Sequence, residues 1–487
     1  MVVVLFGLDG ASIDQIRSVT KRTKLPNFER LLSDGKTSNL LSVYPYVTAP
    51  AWTTMFSGLN PGKHGIFDMF EIDGSTITPS NMRKSDAAYL WDYLSWARKK
   101  VLTLGVPFIY PAPKINGIFV TGRFVPKLST YPEDIGEKFD FRGYEYRELP
   151  TEQEIETRIS QGTREMSLRM IEDLDLRIKT SLSLIDSDKW DAIILVDNLP
   201  DEVLHMNYED TDIVDKMYSA LDGLVGQLLQ RLGAMDHLIV VSDHGFSSVK
   251  SILFMNEWLR SKKYLTFRQS LFSRVLNSFG LNWDRLTEPG VFSTLYRFSL
   301  KYFPGLLSFT KSQAASGFIV SDELKLASRA SVFGINEPVA WIRLAKKSDF
   351  DSNKIIQELT ELKEQKLLKG VFKSGDIFSG KYVDEAPGQL LIEANSEWAI
   401  DGSRLNGGKL VGKPLFTKKG VHQQAGIFGY VGKLSLKADM VYRIQDIAPT
   451  VLDLMRLPIP KNLDGTSLIA DNNPVEQPWK LDISQRL

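Results

Sequence analysis

The sequence predicts an α/β fold: a mostly parallel central sheet flanked by helices, with an aromatic-rich cap inserted into it. Three observations lead there. Short apolar runs rich in β-branched residues recur, and an aspartate closes each: Val2–Leu8 before Asp9, Asp191–Val196 before Asp197, His237–Val241 before Ser242-Asp243. Helical patterns separate these runs, and strands alternating with helices build a parallel sheet covered on both faces. Between Tyr264 and Val320 the rhythm breaks, with twelve aromatics in 57 residues and six Lys/Arg against two Asp/Glu.

Taken in order, Val2–Leu8 reads as the first buried strand. Leu25–Asp34 reads as a helix closed by Gly35, and Pro50–Ser57 as a helix start, because Pro is tolerated in the first turn. Lys100–Val106 and Ile118–Thr121 are strands, and Thr151–Leu184 is charged and helical. The helix after Asp191–Val196 sets Ile213, Met217, Leu221, Leu224 and Leu228 on one apolar face. After the break, the α/β pattern resumes at Pro338–Leu344, Gly388–Ala394 and Ala425–Val431, and ends with the helix Ile447–Leu454. The expected organisation is a core of residues 1–263 and 321–470, an insertion at 264–320 and a loose polar tail at 471–487.

Composition narrows the chemistry. The 487 residues carry 59 Lys+Arg against 59 Asp+Glu, five His and no Cys. Disulfides, thiolate metal sites, iron–sulfur clusters and cysteine nucleophiles are therefore excluded. The balanced charge argues against nucleic-acid binding, which draws on a basic excess. No run approaches the roughly 18 apolar residues of a membrane span, and the N-terminus lacks a basic leader. The chain reads as starting inside the fold, which favours the cytoplasm. Any metal must be held by histidine and carboxylate.

In open α/β sheets ligands bind beyond the carboxyl ends of the strands, so Asp9, Asp197 or Asp201, and Asp243 should meet on one edge. Asp201 and His205 are four apart, a spacing that puts both on one helix face. Asp243 and His244 are adjacent at a strand end, and His422 stands in Gly420-Val-His422-Gln. Three Asp and three His from four segments are the ligand chemistry of zinc or manganese. Each alone reads more readily as an ordinary surface or hydrogen-bonded group, and it is the convergence on strand ends that points to a site. Thr48 precedes a helix start, where free N–H groups and the dipole favour an anion. Its hydroxyl is a candidate nucleophile, or else a plain helix cap.

The sequence resembles the type I phosphodiesterase/nucleotide pyrophosphatase family, within the alkaline phosphatase superfamily. The matching pieces are Gly7-Leu-Asp9-Gly10, Lys24-Leu-Pro-Asn27, Thr48-Ala-Pro-Ala-Trp-Thr and Ser57-Gly-Leu-Asn-Pro-Gly-Lys-His64-Gly-Ile. They continue with Asp201-x-x-x-His205, Ser242-Asp243-His244-Gly245, Gly420-x-His422, Asp446-Ile-Ala-Pro-Thr450-Val-Leu and Asp464-Gly465. The likeness covers the whole fold except the aromatic insertion. It implies two divalent metal ions, typically zinc with manganese as an option. One would be held by Asp201, His205 and His422, the other by Asp9, Asp243 and His244 with the Thr48 oxygen. It also implies in-line attack by Thr48 on phosphorus, a phospho-threonine intermediate and its hydrolysis by water. Two divalent ions against three aspartates leave a net positive site suited to a phosphate oxyanion.

The sequence also departs from the family. A phosphate-binding Asn is expected about twenty residues after the nucleophile, whereas the chain reads Ile66-Phe67-Asp68-Met69. A carboxylate there repels phosphate unless it faces away; the Ala49 N–H, Arg83 or Lys63 could contribute instead. Nucleotide specificity does not carry over, so the substrate-binding residues stay open. His64 reads as a structural turn residue and His237 as a bystander. The insertion reads either as a cap or as a lid for a lipid-linked phosphate. A sulfatase is disfavoured, because Trp52 stands where that branch has Arg and no Cys exists. A phosphoglycerate mutase would normally use Ser. The expected activity is hydrolysis of phosphodiester or pyrophosphate bonds. The alternatives are a phosphomonoesterase or phosphotransferase on a lipid-linked or small phosphorylated substrate, and a non-catalytic metal-binding module. Substrate, native metal and oligomeric state are not encoded in any motif.

Overall fold

The computed structural model describes residues 1–144 and 163–265, apart from 34, 35, 74 and 75. It also describes residues 330–470, apart from 334, 345–351, 403–405, 407, 415–417 and 439. Its centre is a nine-stranded sheet. The strands lie in the order Tyr442–Arg443, Thr37–Leu41, Ala425–Val431, His237–Val241, Val3–Leu8, Ala192–Asp197, Val101–Val106, Gly117–Thr121 and Thr130–Tyr131. The middle five, His237–Val241 through Gly117–Thr121, run parallel, while Ala425–Val431 and Thr130–Tyr131 run against their neighbours.

The reason these segments are strands is visible in their burial. Every residue of Val3–Leu8 is buried, and alternate side chains serve two different cores. Val3 and Leu5 join Ile194, Val196, Ile239 and Val241 on one face. Val4, Phe6 and Leu8 join Ile193, Leu195, Leu238 and Val240 on the other. A strand wet on neither face must be apolar at every position, hence the continuous runs. Each such side chain contributes about 1.5–3 kcal/mol over its exposed state. One face is covered by the helices Thr48–Ser57, Leu90–Trp96 and Ile447–Leu454. The other is covered by Ile13–Thr20, Pro26–Ser33, Thr163–Asp186, Leu199–Asn207 and Thr211–Arg231. In the last of these, Ile213, Met217, Leu221, Leu224 and Leu228 form the expected apolar face. The Asp210 side chain caps it by accepting the Ile213 N–H at 3.3 Å.

Two expectations need correction. Val339–Leu344 and Leu390–Ala394 do not resume the central sheet; they pair antiparallel in a separate four-stranded sheet with Ala330–Phe333 and Leu368–Lys373. One face of this sheet packs Ala340, Ile342, Leu390 and Ile392 on Ile355, Leu359 and Leu362 of the helix Ser352–Glu364. Its other face packs Trp341 and Leu391 on Phe67 and Phe378. Covered on both sides, these strands carry the same unbroken apolar runs as a parallel core strand, so pattern alone could not separate them. Ala425–Val431 does enter the central sheet. A second small sheet joins Ile335–Glu337, Trp398–Asp401, Ser251–Phe254 and Val411–Gly412. The helix expected to start at Pro50 starts at Thr48. Of the proposed insertion only Tyr264 and Leu265 lie among the described residues, both buried beside Trp258, and the tail from 471 lies outside them. Among the described residues no helix is long and apolar enough to cross a membrane.

Candidate metal centre and active site

Asp9 follows the Val3–Leu8 strand directly, and Gly10 turns the chain with φ of +77°. Asp243 and His244 follow His237–Val241, the neighbouring parallel strand. The three meet. His244 Nε2 lies 3.5 Å from Asp9 Oδ1 and 3.2 Å from Asp243 Oδ2, and all three residues are at most 1% exposed. The other oxygens are already engaged: Trp52 Nε1–H and the Asn198 amide donate to Asp9 Oδ2, and the Gly10 N–H donates to Asp243 Oδ1. Asp9 Oδ1, Asp243 Oδ2 and His244 Nε2 are left buried without a hydrogen-bond partner. Three lone pairs gathered within one small cluster and satisfied by nothing among the described residues fit a cation.

The second triad grows from the helix Leu199–Asn207, which opens just after the Ala192–Asp197 strand. Asp201 in its first turn and His205 in its last meet His422 from the strand Gly420–Gln423, which pairs with Gly245–Ser248. His422 Nε2 is 3.0 Å from both Asp201 Oδ1 and His205 Nε2. The triads adjoin, since the rings of His244 and His422 stack with centroids 3.8 Å apart. Within each triad, one ligand-type atom from every residue lies within 4.8 Å of the others. The Nδ1 atoms of His205, His244 and His422 face the carbonyls of Gly420, Gly245 and Tyr46 at 3.2–3.3 Å. At His244 and His422 an Nδ1–H donated to the carbonyl leaves the Nε2 lone pair pointing into the cluster, the arrangement a metal-ligating imidazole requires. His205 Nδ1, by contrast, also meets Lys418 Nζ at 3.1 Å.

The two triads differ electrostatically. In the first, burial and then the Asp201 charge push Asp9 up to about 7. Burial and the Asp9 and Asp201 charges push Asp243 well above the carboxylate range, while burial holds His244 well below the imidazole range. In the second, burial opposes charge but is outweighed. The His205 and His422 interactions hold Asp201 well below its ordinary value, and Glu337 and Asp201 raise His422.

Thr48 is 2% exposed at the first position of the helix Thr48–Ser57. The N-cap is Val47, and no side chain caps this helix, so Thr48 does not serve as its cap. Its neighbours tie it to both triads: the Tyr46 carbonyl faces His422, and Trp52, one turn on, donates to Asp9. Gly7 permits this approach, because a Cβ there would sit 2.4 Å from the Trp52 ring.

Several expected participants lie elsewhere. Asp197 does not join the aspartates at the site; it is bonded at 2.8 Å to the buried Arg177 and accepts the Leu199 N–H. Lys63 is held by Asp464 at 2.5 Å and by the Asn462 carbonyl, so it is committed away from phosphate. Arg83 stands in the short turn Met82–Lys84. Asp68 faces the antiparallel sheet, accepting the Trp341 Nε1–H at 3.1 Å and the Met69 N–H at 2.7 Å, and burial raises it to about 6. It borders a cleft of about 290 Å³ with Lys84 and Arg343, lined by none of the triad residues. His64 bonds Thr54 and the Ile66 N–H, and His237 bonds Tyr430; both are structural, as the sequence suggested. Sequence reasoning missed Asn198, the Tyr46 carbonyl, Glu337 and Lys418. Asn198 had a signal, lying one residue past a strand-end aspartate. Glu337 had none, because the fold alone carries it to the site.

The chain thus sets two adjacent oxygen–nitrogen triads beside a helix N-terminus at the edge of a mostly parallel α/β sheet. Residues 3–414 match the model of the type I phosphodiesterase/nucleotide pyrophosphatase family, and the chain belongs to that family. It is accordingly a phosphodiesterase/pyrophosphatase-type hydrolase of a family dependent on divalent metal. Solved structures agree on the fold. Murine ectonucleotide pyrophosphatase/phosphodiesterase 5 is 13% identical, with 96% of this chain and 100% of that one covered at a TM-score of 0.50. Its human counterpart is 14% identical over 97% and 100%, with a TM-score of 0.52. Phosphonoacetate hydrolase from Sinorhizobium meliloti 1021, in complex with phosphonoformate, is 13% identical over 92% and 94%, with a TM-score of 0.55. No curated protein sequence matches the chain.

Proposed function

We propose that the protein cleaves phosphodiester or pyrophosphate bonds by in-line attack of Thr48 Oγ1 on phosphorus. The observation that carries this is the placement of Thr48 at an uncapped helix start, between a residue bonded to each triad. Asp9, Asp243 and His244 would hold one divalent ion and Asp201, His205 and His422 the other, with zinc the reading and manganese its alternative. Such ions, when bound, lower the pKa of a coordinated hydroxyl and offset phosphate charge.

The chain's own residues do the rest. The first-turn N–H groups and the helix dipole draw the phosphoryl oxygens to Thr48. Its oxygen forms a bond to phosphorus as the bond to the leaving oxygen breaks on the opposite side, and the hydroxyl proton is released to solvent. Water then hydrolyses the phospho-threonine and returns Thr48 as the alcohol. Trp52 and Asn198 fix the Asp9 carboxylate, and the three backbone carbonyls fix the imidazoles, so the groups need no rearrangement during reaction. An inactive threonine-to-alanine form of the murine structural neighbour, solved in complex with AMP, supports a threonine as the nucleophile.

Thr48→Ala should lower hydrolysis of bis-p-nitrophenyl phosphate by at least about a thousandfold while the far-UV circular dichroism is unchanged. Acid-quenched wild type should carry phosphate on the peptide containing Thr48. Turnover of Thr48→Ala near the wild-type rate would remove the nucleophile assignment.

A further inference from the structure

The Asp201 triad holds one carboxylate where its neighbour holds two, and the fold supplies another from outside. Glu337 ends the strand Ile335–Glu337, which pairs with Trp398–Asp401 in a sheet separate from the central one. Its side chain is 16% exposed and reaches to the triad. Oε1 lies 2.8 Å from Lys418 Nζ and 4.0 Å from His205 Nε2, and Oε2 lies 3.3 Å from His422 Nδ1. Lys418 Nζ in turn is 3.1 Å from His205 Nδ1. Burying a carboxylate is costly unless charge and hydrogen bonds offset it. Lys418 accounts for Oε1, whereas Oε2 is buried without a hydrogen-bond partner among the described residues.

We propose that Glu337 is a positioning residue for the Asp201–His205–His422 site, setting the charge and imidazole orientation that let this triad hold a divalent ion, with Lys418 as its counter-charge. The inference rests on the two-metal reading above. The carboxylate beside His422 Nδ1 favours the tautomer protonated there, adding to the Tyr46 carbonyl, and so keeps Nε2 free for the ion. It also balances charge. A divalent ion beside Asp201 alone leaves a net +1, whereas the Asp9–Asp243 pair already neutralises its ion. Glu337 brings the second site to the same balance, and Lys418 draws it back. Removing the two residues should therefore have opposite effects, which a packing role alone would not produce.

The test is calorimetric titration of the metal-stripped full chain with zinc. Wild type should bind two equivalents. Glu337→Gln, which keeps the shape and removes the charge, should weaken one equivalent about ten- to a hundredfold and leave the other unchanged. Lys418→Met should tighten that same equivalent. Thermal melts in chelator confirm that each variant is folded, and Lys418→Met tests the proposal independently if Glu337→Gln is not. Unchanged affinities in Glu337→Gln, equal weakening of both sites, or a shift of both variants in one direction would overturn the assignment of Glu337 alone. Absence of zinc binding by wild type would overturn the two-metal reading and this inference together.

Discussion

The two triads sit side by side yet reach their geometry by opposite routes. The Asp9–Asp243–His244 cluster is closed to solvent, and its unpartnered atoms face one another. Without an ion, its carboxylates are forced up and its imidazole down, each group disfavouring its charge. In the Asp201–His205–His422 cluster the side chains are up to 24% exposed and bonded to each other, so a protonated imidazole can stand in for a cation. The first cluster is strained toward a metal, while the second can satisfy itself. Burial with like charges makes a site wait for its ion; burial with mixed charges makes a site that tolerates its absence.

The largest effect should come from breaking the strained cluster in the working enzyme. Chelation should abolish diester hydrolysis, and zinc or manganese should restore it. Asp243→Asn should lower kcat/KM on the order of 10⁴-fold, as removal of a member from a cooperating catalytic set does, and should leave about one zinc per chain by elemental analysis. Activity indifferent to chelator, or Asp243→Asn retaining two zinc ions, would contradict the assignment of that cluster.

Much of this site was legible in the sequence because its residues stand at places that sequence marks. Asp9 and Asp243 follow apolar runs that can only be buried strands, and Asp201 and His205 carry helical spacing. The adjoining parallel strands Val3–Leu8, Ala192–Asp197 and His237–Val241 then bring them together. Asp197 shows the limit of that rule. It stands at a strand end like the others, but Arg177 from a distant helix claims it, and no local pattern reveals a partner 20 residues away. Glu337 was invisible for the converse reason: nothing around it looks like a site, and only pairing with Trp398–Asp401 delivers it. The mistaken central strands at Val339–Leu344 and Leu390–Ala394 show that an apolar run reports two covered faces and not which sheet supplies them.

The comparison extends to the remaining histidines in acid. His64 is buried like His244 but lacks the two carboxylates that border that ring, and burial lowers it from 6.5 to about 3. Its Nδ1 accepts the Ile66 N–H and its Nε2 bonds Thr54 on the Thr48 helix, so the fold requires the neutral ring. The unfolded chain takes up a proton at 6.5 and the folded one does not, so stability is full above pH 6.5. It is lost progressively as pH falls toward 3, by about 5 kcal/mol in all. Urea unfolding of wild type and His64→Gln should show the variant gaining on wild type by about 3 kcal/mol between pH 7 and pH 4.5. A constant difference across that range would mean that burial does not set His64.

The smallest predicted effect is the sharpest, because it concerns sign. In chelator at pH 8, Asp243 is a buried carboxylate whose folded pKa lies above its unfolded value. It therefore costs the fold stability once the pH has risen through that range. Asp201 lies below its unfolded value, so it contributes stability that is present above about 3.8 and lost in acid. Asp243→Asn keeps an oxygen to accept the Gly10 N–H and should raise the melting stability of the metal-free protein by about 1–3 kcal/mol. Asp201→Asn removes the charge that His422 faces at 3.0 Å and should lower it by a similar amount. With zinc saturating, both variants should fall below wild type, because each has lost a ligand whose binding energy belonged to the folded state alone. Two shifts of the same sign in chelator would mean that the clusters are equivalent without their ions, and the contrast drawn between them would fail.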